Sequence, residues 1–220
     1  YNAVFVYTHD CNYLRDQSQT LAPSGVTNDI SFGGSLDLND DANVAIIGAT
    51  GGNDGKGAAY IYTESGGTWT EQQTLTGSDS ASSDNFGNSV TLSGDGKTAL
   101  VGATGKNSTS GAVYAFTESG GTWSQLQKFV SSDIATGDLF GTSTALTGDG
   151  NRALVGSQGK NSNTGAAYIF DLGTLNPTVN LVSSANPTFT GQNLTFTTTI
   201  SGTLDMPTGN VAFLVDSVPA

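Results

Sequence analysis

The sequence predicts an all-β fold of four-stranded antiparallel sheets stacked face to face, and three observations carry that prediction. Its 220 residues include 30 glycines and only 12% charged side chains, which suits short strands and tight turns rather than helices. One string of residues recurs three times at a constant interval. The apolar runs inside each copy lack the alternation expected of a sheet with one wet face.

Phe32, Phe86 and Phe140 open the copies, each 54 residues after the one before. The same offset joins Gly33, Gly87 and Gly141, then Ser35, Ser89 and Ser143, then Gly57, Gly111 and Gly165. The aligned centres read VAIIGAT (44–50), TALVGAT (98–104) and RALVGSQ (152–158), followed by GAAYIYTESGGTW, GAVYAFTESGGTW and GAAYIFDLG. Self-similarity of this kind marks an array of equal supersecondary units.

Taken in order, residues 3–21 begin with AVFVYT and read as the last two strands of a unit. The first full copy contains four β-like runs, FGGSLDL, NVAIIGA, AAYIYT and WTEQQTL, separated by Gly, Asp, Asn and Ser. The second copy repeats all four. The third, residues 140–172, supplies three and lacks the Trp-bearing fourth. Runs two and three are apolar at nearly every position, so both faces of the sheet must be covered. Four-stranded sheets sandwiched between copies of themselves are the blades of a β-propeller. A β-solenoid, whose repeats are usually shorter, is the alternative.

Propellers close with about 4 to 8 blades, so the remaining blades are expected in a longer chain or in another copy. With no initiator Met or signal peptide before Tyr1, and an end at SVPA directly after a strand-like run, the expectation is of a fragment. The repeat pattern stops after Asp171. The expected organisation is therefore propeller blades over residues 1–172, a linker at 173–177, and a second β-domain over 178–220, where TVNLVSS, NLTFTTTIS and GNVAFLVD alternate with period two.

The pairs Phe32-Gly33, Phe86-Gly87 and Phe140-Gly141 are followed by Gly48-Ala49-Thr50, Gly102-Ala103-Thr104 and Gly156-Ser157-Gln158. This pattern resembles the FG-GAP repeat, named for a Phe-Gly pair and a later Gly-Ala-Pro, with the proline replaced each time. The resemblance spans roughly residues 3–172 and is nearest to the bacterial branch with a short SGDG-type hairpin; integrin α-chain propellers are more distant. Residues 178–220 are similar to the first part of bacterial immunoglobulin-like repeats through Asn186-Pro187, Gly191, the Pro207-Thr208-Gly209 turn, and Val211 with Phe213. Together these resemblances imply a bacterial, secreted or cell-surface scaffold for binding and adhesion, with a protein or glycan as ligand. An accessory propeller module of a larger secreted enzyme and a lectin-like carbohydrate binder are the alternatives.

Several functions are disfavoured by inventory. Seven basic against 19 acidic residues give a formal charge of -12, and no basic stripe could neutralise a phosphate backbone, so nucleic acid is not an expected partner. Apolar stretches of about five residues fall far short of the roughly 20 needed to insert into a membrane as a helix. Cys11 is the single cysteine and His9 the single histidine. The first reads as a packing residue, and the second offers a catalytic triad one unrepeated base, so no enzyme is expected.

No cofactor is expected either, and calcium is the one ion the resemblance raises. Integrin-type loops supply several carboxylates to it, whereas the corresponding turns here, NDDAN (39–43), SGDGK (93–97) and TGDGN (147–151), each keep one aligned acid: Asp41, Asp95 and Asp149. A second acidic motif, D-x4-D-x-F-G, adds Asp79 with Asp84 and Asp133 with Asp138; the first copy has Gly25 and Ile30 instead. Asp41, Asp79, Asp84, Asp133 and Asp138 are thus the metal candidates, and ordering of turns by their side chains is the simpler reading. Trp69 and Trp123 could stack on sugars, but a large side chain repeated once per blade more simply seals the blade interface. The binding surface is expected where long polar loops cluster, at 51–57, 105–111 and 159–165 beside 77–85 and 131–138. Its candidate residues are Asn53, Asn107 and Asn161, with Lys106 and Lys160 beside two of them.

Overall fold

A computed structural model describes residues 3–9, 15–24, 31–172, 178–183 and 196–201. The described chain is all-β. It divides into two compact units, Tyr1–Leu172 and Gly173–Ala220.

The first unit opens with a hairpin of β1 (Val4–His9) and β2 (Arg15–Leu21). Three sheets follow, each an antiparallel meander. The first blade is β3 (Ser35–Leu38), β4 (Val44–Ala49), β5 (Ala58–Ser65) and β6 (Thr68–Leu75). The second is β7 (Phe86–Leu92), β8 (Thr98–Ala103), β9 (Ala112–Ser119) and β10 (Thr122–Phe129). The third has three strands, β11 (Phe140–Leu146), β12 (Arg152–Ser157) and β13 (Ala166–Asp171). The ladders of each sheet join strands of one repeat, and successive sheets pack face to face, which is the arrangement of propeller blades; a solenoid would build its ladders from strands of successive repeats.

In the second unit β14 (Thr178–Ser183) pairs antiparallel with β15 (Phe196–Ser201). The residues that carry the immunoglobulin-like resemblance, Asn186, Pro187, Gly191, Pro207 to Gly209, Val211 and Phe213, lie outside the described residues. So does Cys11, while His9 closes β1.

The absence of alternation in the middle strands has the predicted cause. Along β4, Ile46 belongs to the core shared with the second blade, whereas Ala45 and Ile47 belong to the core shared with the β1–β2 hairpin. The next contact is built alike: Leu100 and Ala115 of the second blade pack with Phe140, Ala153 and Val155 of the third. Within each blade the rings that line these cores meet edge to face, Phe86 on Phe116 and Phe140 on Phe170.

Backbone contacts set the spacing between blades. Gly57 and Gly111 form isolated parallel bridges to Phe86 and Phe140, the first residues of the next blades. Their φ values are +90° and +92°, and a Cβ at either site would overlap the carbonyl group of the phenylalanine. No other residue type fits both the torsion and the approach. The outer rim carries a second device. The Gln19 carboxamide donates to the Trp69 carbonyl at 2.7 Å and accepts from the Trp69 N–H at 2.8 Å. Gln73 makes the same pair with Trp123 at 2.8 and 2.9 Å.

Candidate functional site

The connections from the second to the third strand of each blade share an uncommon conformation. Asn107 and Ser108 sit at φ/ψ of 50/54° and 57/49°, and Thr109 at φ 66°. Asn161, Ser162 and Asn163 repeat this turn, as do Asn53, Asp54 and Gly55. Three left-handed residues in succession cost roughly 1–2 kcal/mol each for ordinary side chains, less for Asn and Gly. What holds them is visible on both flanks. Within the loop, the Gly111 N–H closes on the Lys106 carbonyl at 2.9 Å. Towards the next blade, the Thr109 and Ser110 carbonyls accept from Leu139 and Phe140 at 3.0 and 2.8 Å. The left-handed turn thus aims two carbonyl groups at the next repeat.

The turn is anchored behind by the acidic loop that precedes its own blade. Lys106 is buried, and its ammonium lies 2.8 Å from the equally buried Asp84 carboxylate and 3.6 Å from Asp79. It also donates to the Asp79 main-chain carbonyl. Asp84 accepts in addition from the Ala81 N–H at 2.6 Å, folding its loop back on itself. Asp79 takes the Tyr114 hydroxyl at 2.6 Å and Lys128 at 2.7 Å. In the third blade Lys160 meets Asp138 at 3.0 Å and Asp133 at 3.6 Å, and Tyr168 donates to Asp133 at 3.0 Å.

These contacts shift several of the acids and phenols that face the lysines. Burial alone would raise the Asp79 carboxyl, but hydrogen bonds from Lys128 and Tyr114, with the charges of Lys128 and Lys106, bring it down to about 2. Tyr114 moves far above the ordinary phenol range through burial and the carboxylate it faces. The Ala135 N–H and Lys160 lower Asp138; the Ser131 hydroxyl, Tyr168 and Lys160 lower Asp133 against some desolvation. A hydrogen bond to Asp138 raises Lys160. Carboxylates held low and phenols held high are poor proton shuttles near neutral pH. Lowered carboxyls at Asp79, Asp133 and Asp138 favour the anions that fasten one loop to another.

Each sequence candidate can now be placed. Lys106 and Lys160 are not free to meet a ligand, because both ammonium groups are buried in ion pairs that fasten one loop to another. Asn53, Asn107 and Asn161 do lie exposed, at the outer tips of the three left-handed turns. Asp79, Asp84, Asp133 and Asp138 each have a lysine ammonium within 3.6 Å. Among the described residues there is no group of three or more potential metal-ligating side chains from His, Cys, Asp and Glu. Asp41 is exposed on the β3–β4 hairpin, where Asn39 rather than the acid shapes the turn by accepting the Asn43 and Val44 N–H groups. Asp95 and Asp149 serve as turn formers in the other two hairpins, accepting from Lys97 and Asn151 at 3.0 Å each. Trp123 is buried in the core between the first two blades and Trp69 packs against the core before it, so Trp123 offers no platform to a sugar.

The lysine–aspartate pairing was not read from the sequence, although a signal existed. At the 54-residue offset the first copy has Gly52, Gly25 and Ile30 where the second has Lys106, Asp79 and Asp84. All three charges are present together or absent together, as partners would be.

Stacked four-stranded blades joined by a belt of ordered loops define a propeller-type repeat scaffold. The FG-GAP repeat model matches residues 69–116 and 123–170, so the chain carries two FG-GAP repeats in tandem. Each match runs from the outer-strand tryptophan of one blade to the third strand of the next. No curated protein matches the chain. Among solved structures, Kuenenia stuttgartiensis hydrazine synthase is similar at a TM-score of 0.44 and 14% identity, over 62% of this chain and 33% of that chain. The shared region is thus about a third of that protein's chain, and at this level it carries no argument about activity. Among the described residues no helix is long and apolar enough to cross a membrane.

Proposed function

We propose that this chain is a non-catalytic binding and adhesion scaffold of the bacterial cell surface or extracellular space, meeting a protein or glycan on its loop belt. The observation that carries the reading is the division of labour within each loop. Lys106 and Lys160 lock the belt from beneath, while Asn107–Thr109 and Asn161–Asn163 stand exposed in the same strained conformation on successive blades. Rigid polar tips repeated at one spacing are suited to recognition, because little ordering entropy is lost on binding. FG-GAP repeats are typical of extracellular proteins, which supports the location. The β14–β15 hairpin is read as the start of an immunoglobulin-like domain that extends the scaffold.

The test replaces Asn107–Thr109 and Asn161–Asn163 with glycine, which tolerates left-handed torsions and keeps both lysine anchors. Binding to a panel of immobilised matrix proteins and surface polysaccharides should fall, with the thermal midpoint little changed. Binding that survives this replacement and is lost on altering the 93–97 hairpin places the ligand on the opposite face.

A further inference from the structure

The loop belt offers a ligand one chemical group, repeated. Asn53, Asn107 and Asn161 leave the main chain at φ/ψ of 49/57°, 50/54° and 52/51°, so their carboxamides are presented alike on successive blades. Each residue is exposed, and its carboxamide makes no hydrogen bond with another described residue. A carboxamide carries two donors and an acceptor side by side, and each hydroxyl of a sugar both donates and accepts.

What surrounds these tips narrows the ligand. The five loops of the belt contain no Arg and no aromatic residue, and none of the exposed large apolar side chains among the described residues falls in them. Protein interfaces draw most of their energy from Trp, Tyr and Arg anchors, which the belt does not present. Charge disfavours an anionic polymer. Lys106 and Lys160 are buried in their ion pairs, whereas Asp54 is exposed at a tip and the side chains of Asp79 and Asp133 are 48% and 59% exposed. The third lysine of the loops, Lys56, is half-buried two residues after Asp54. A polyanion approaching a chain of formal charge -12 therefore meets carboxylates first.

We infer that the belt, taken as the binding surface on which this reading rests, receives a neutral polysaccharide hydrogen-bonded through the Asn53, Asn107 and Asn161 carboxamides. A polymer of like units meets like groups at a fixed blade interval, so one chain can engage several tips. With no exposed ring to stack on a sugar, each contact is weak. Joining contacts along one polymer raises the overall affinity by about 10²–10⁴-fold.

Biolayer interferometry with the whole chain and immobilised dextran, mannan and barley β-glucan tests this, with alginate as the anionic control and short oligosaccharides as competitors. The expected result is binding to a neutral polymer that holds from about 50 to about 500 mM salt. Its short oligosaccharides should compete at least about a hundredfold more weakly than the polymer. Asn107→Gly combined with Asn161→Gly keeps the left-handed torsions and both lysine anchors. This double variant should weaken binding at least about tenfold with the thermal midpoint unchanged. Neutral-polymer binding that survives it overturns the inference, as does a preference for alginate that fades with salt. Failure to bind any of the three neutral polymers overturns it too. In that case a matrix protein whose binding is lost on replacing Asn107–Thr109 and Asn161–Asn163 by glycine keeps the belt as the binding surface, and one indifferent to the replacement removes the belt as well.

Discussion

Replacing Lys106 by methionine isolates the anchor beneath the second blade's loop. The ammonium and the Asp84 carboxylate are each only 8% exposed and lie 2.8 Å apart. Methionine conserves most of the packed stem but leaves Asp84 as a buried charge with only the Ala81 N–H as donor. Breaking a buried pair from one side costs about 3–5 kcal/mol. Asp84→Asn should cost less, about 1–3 kcal/mol, since Lys106 keeps the Asp79 carbonyl and sits 3.6 Å from its carboxylate. The double variant removes both charges and should cost clearly less than the sum of the two, with a coupling of about 0.5–3 kcal/mol. The first copy already carries such a double replacement, Gly52 with Ile30. Urea titrations followed by tryptophan fluorescence give the three values, provided the slopes agree. A single-variant loss below about 1 kcal/mol, or losses that simply add, would refute the anchor.

Phe86→Ala and Phe140→Ala empty fully buried ring sites in successive blades and should each cost about 3–5 kcal/mol in urea titration. Acid should also weaken the fold. Asp79 is lowered from 3.8 to about 2, so its stabilisation is complete above the unfolded value and is lost as pH falls through the folded one; Asp133 and Asp138 shift the same way. The urea midpoint should therefore drop between pH 4 and pH 2, and Asp79→Asn should flatten that slope. Thermal melts in micromolar calcium and in chelator should coincide; a clear rise with calcium would point to the loops around Asp79 and Asp133.

The stacking was legible in the sequence because it is written in apolar identity and in a fixed interval. Residues such as Ile46 and Ile47 point to opposite sides of one strand, and a strand needing both sides covered shows itself as an unbroken apolar run. Asn107 and Asn161 were legible as loop residues from composition. Lys106 was not legible as a buried group, because lysine is almost never fully buried unless paired, and its partner Asp84 lies 22 residues back in another loop. The glutamine clamps were hidden for a similar reason. Gln19 and Gln73 bond main-chain atoms of the following blade, and main-chain partners leave no residue type to recognise.

The backbone bridge at Gly57 and Gly111 bears on how such a chain can lengthen. Each repeat carries the glycine that receives its successor, the phenylalanine that seats on its predecessor, and the aliphatic and aromatic faces of the contact. A duplication of a 54-residue segment within the repeats therefore inserts a blade that carries both halves of this contact, wherever in the period the break falls. Blade number can change in one genetic step with no new interface to evolve. The loop tips then arrive as a spare copy, free to diverge while the frame beneath them is held fixed by a residue that tolerates no side chain.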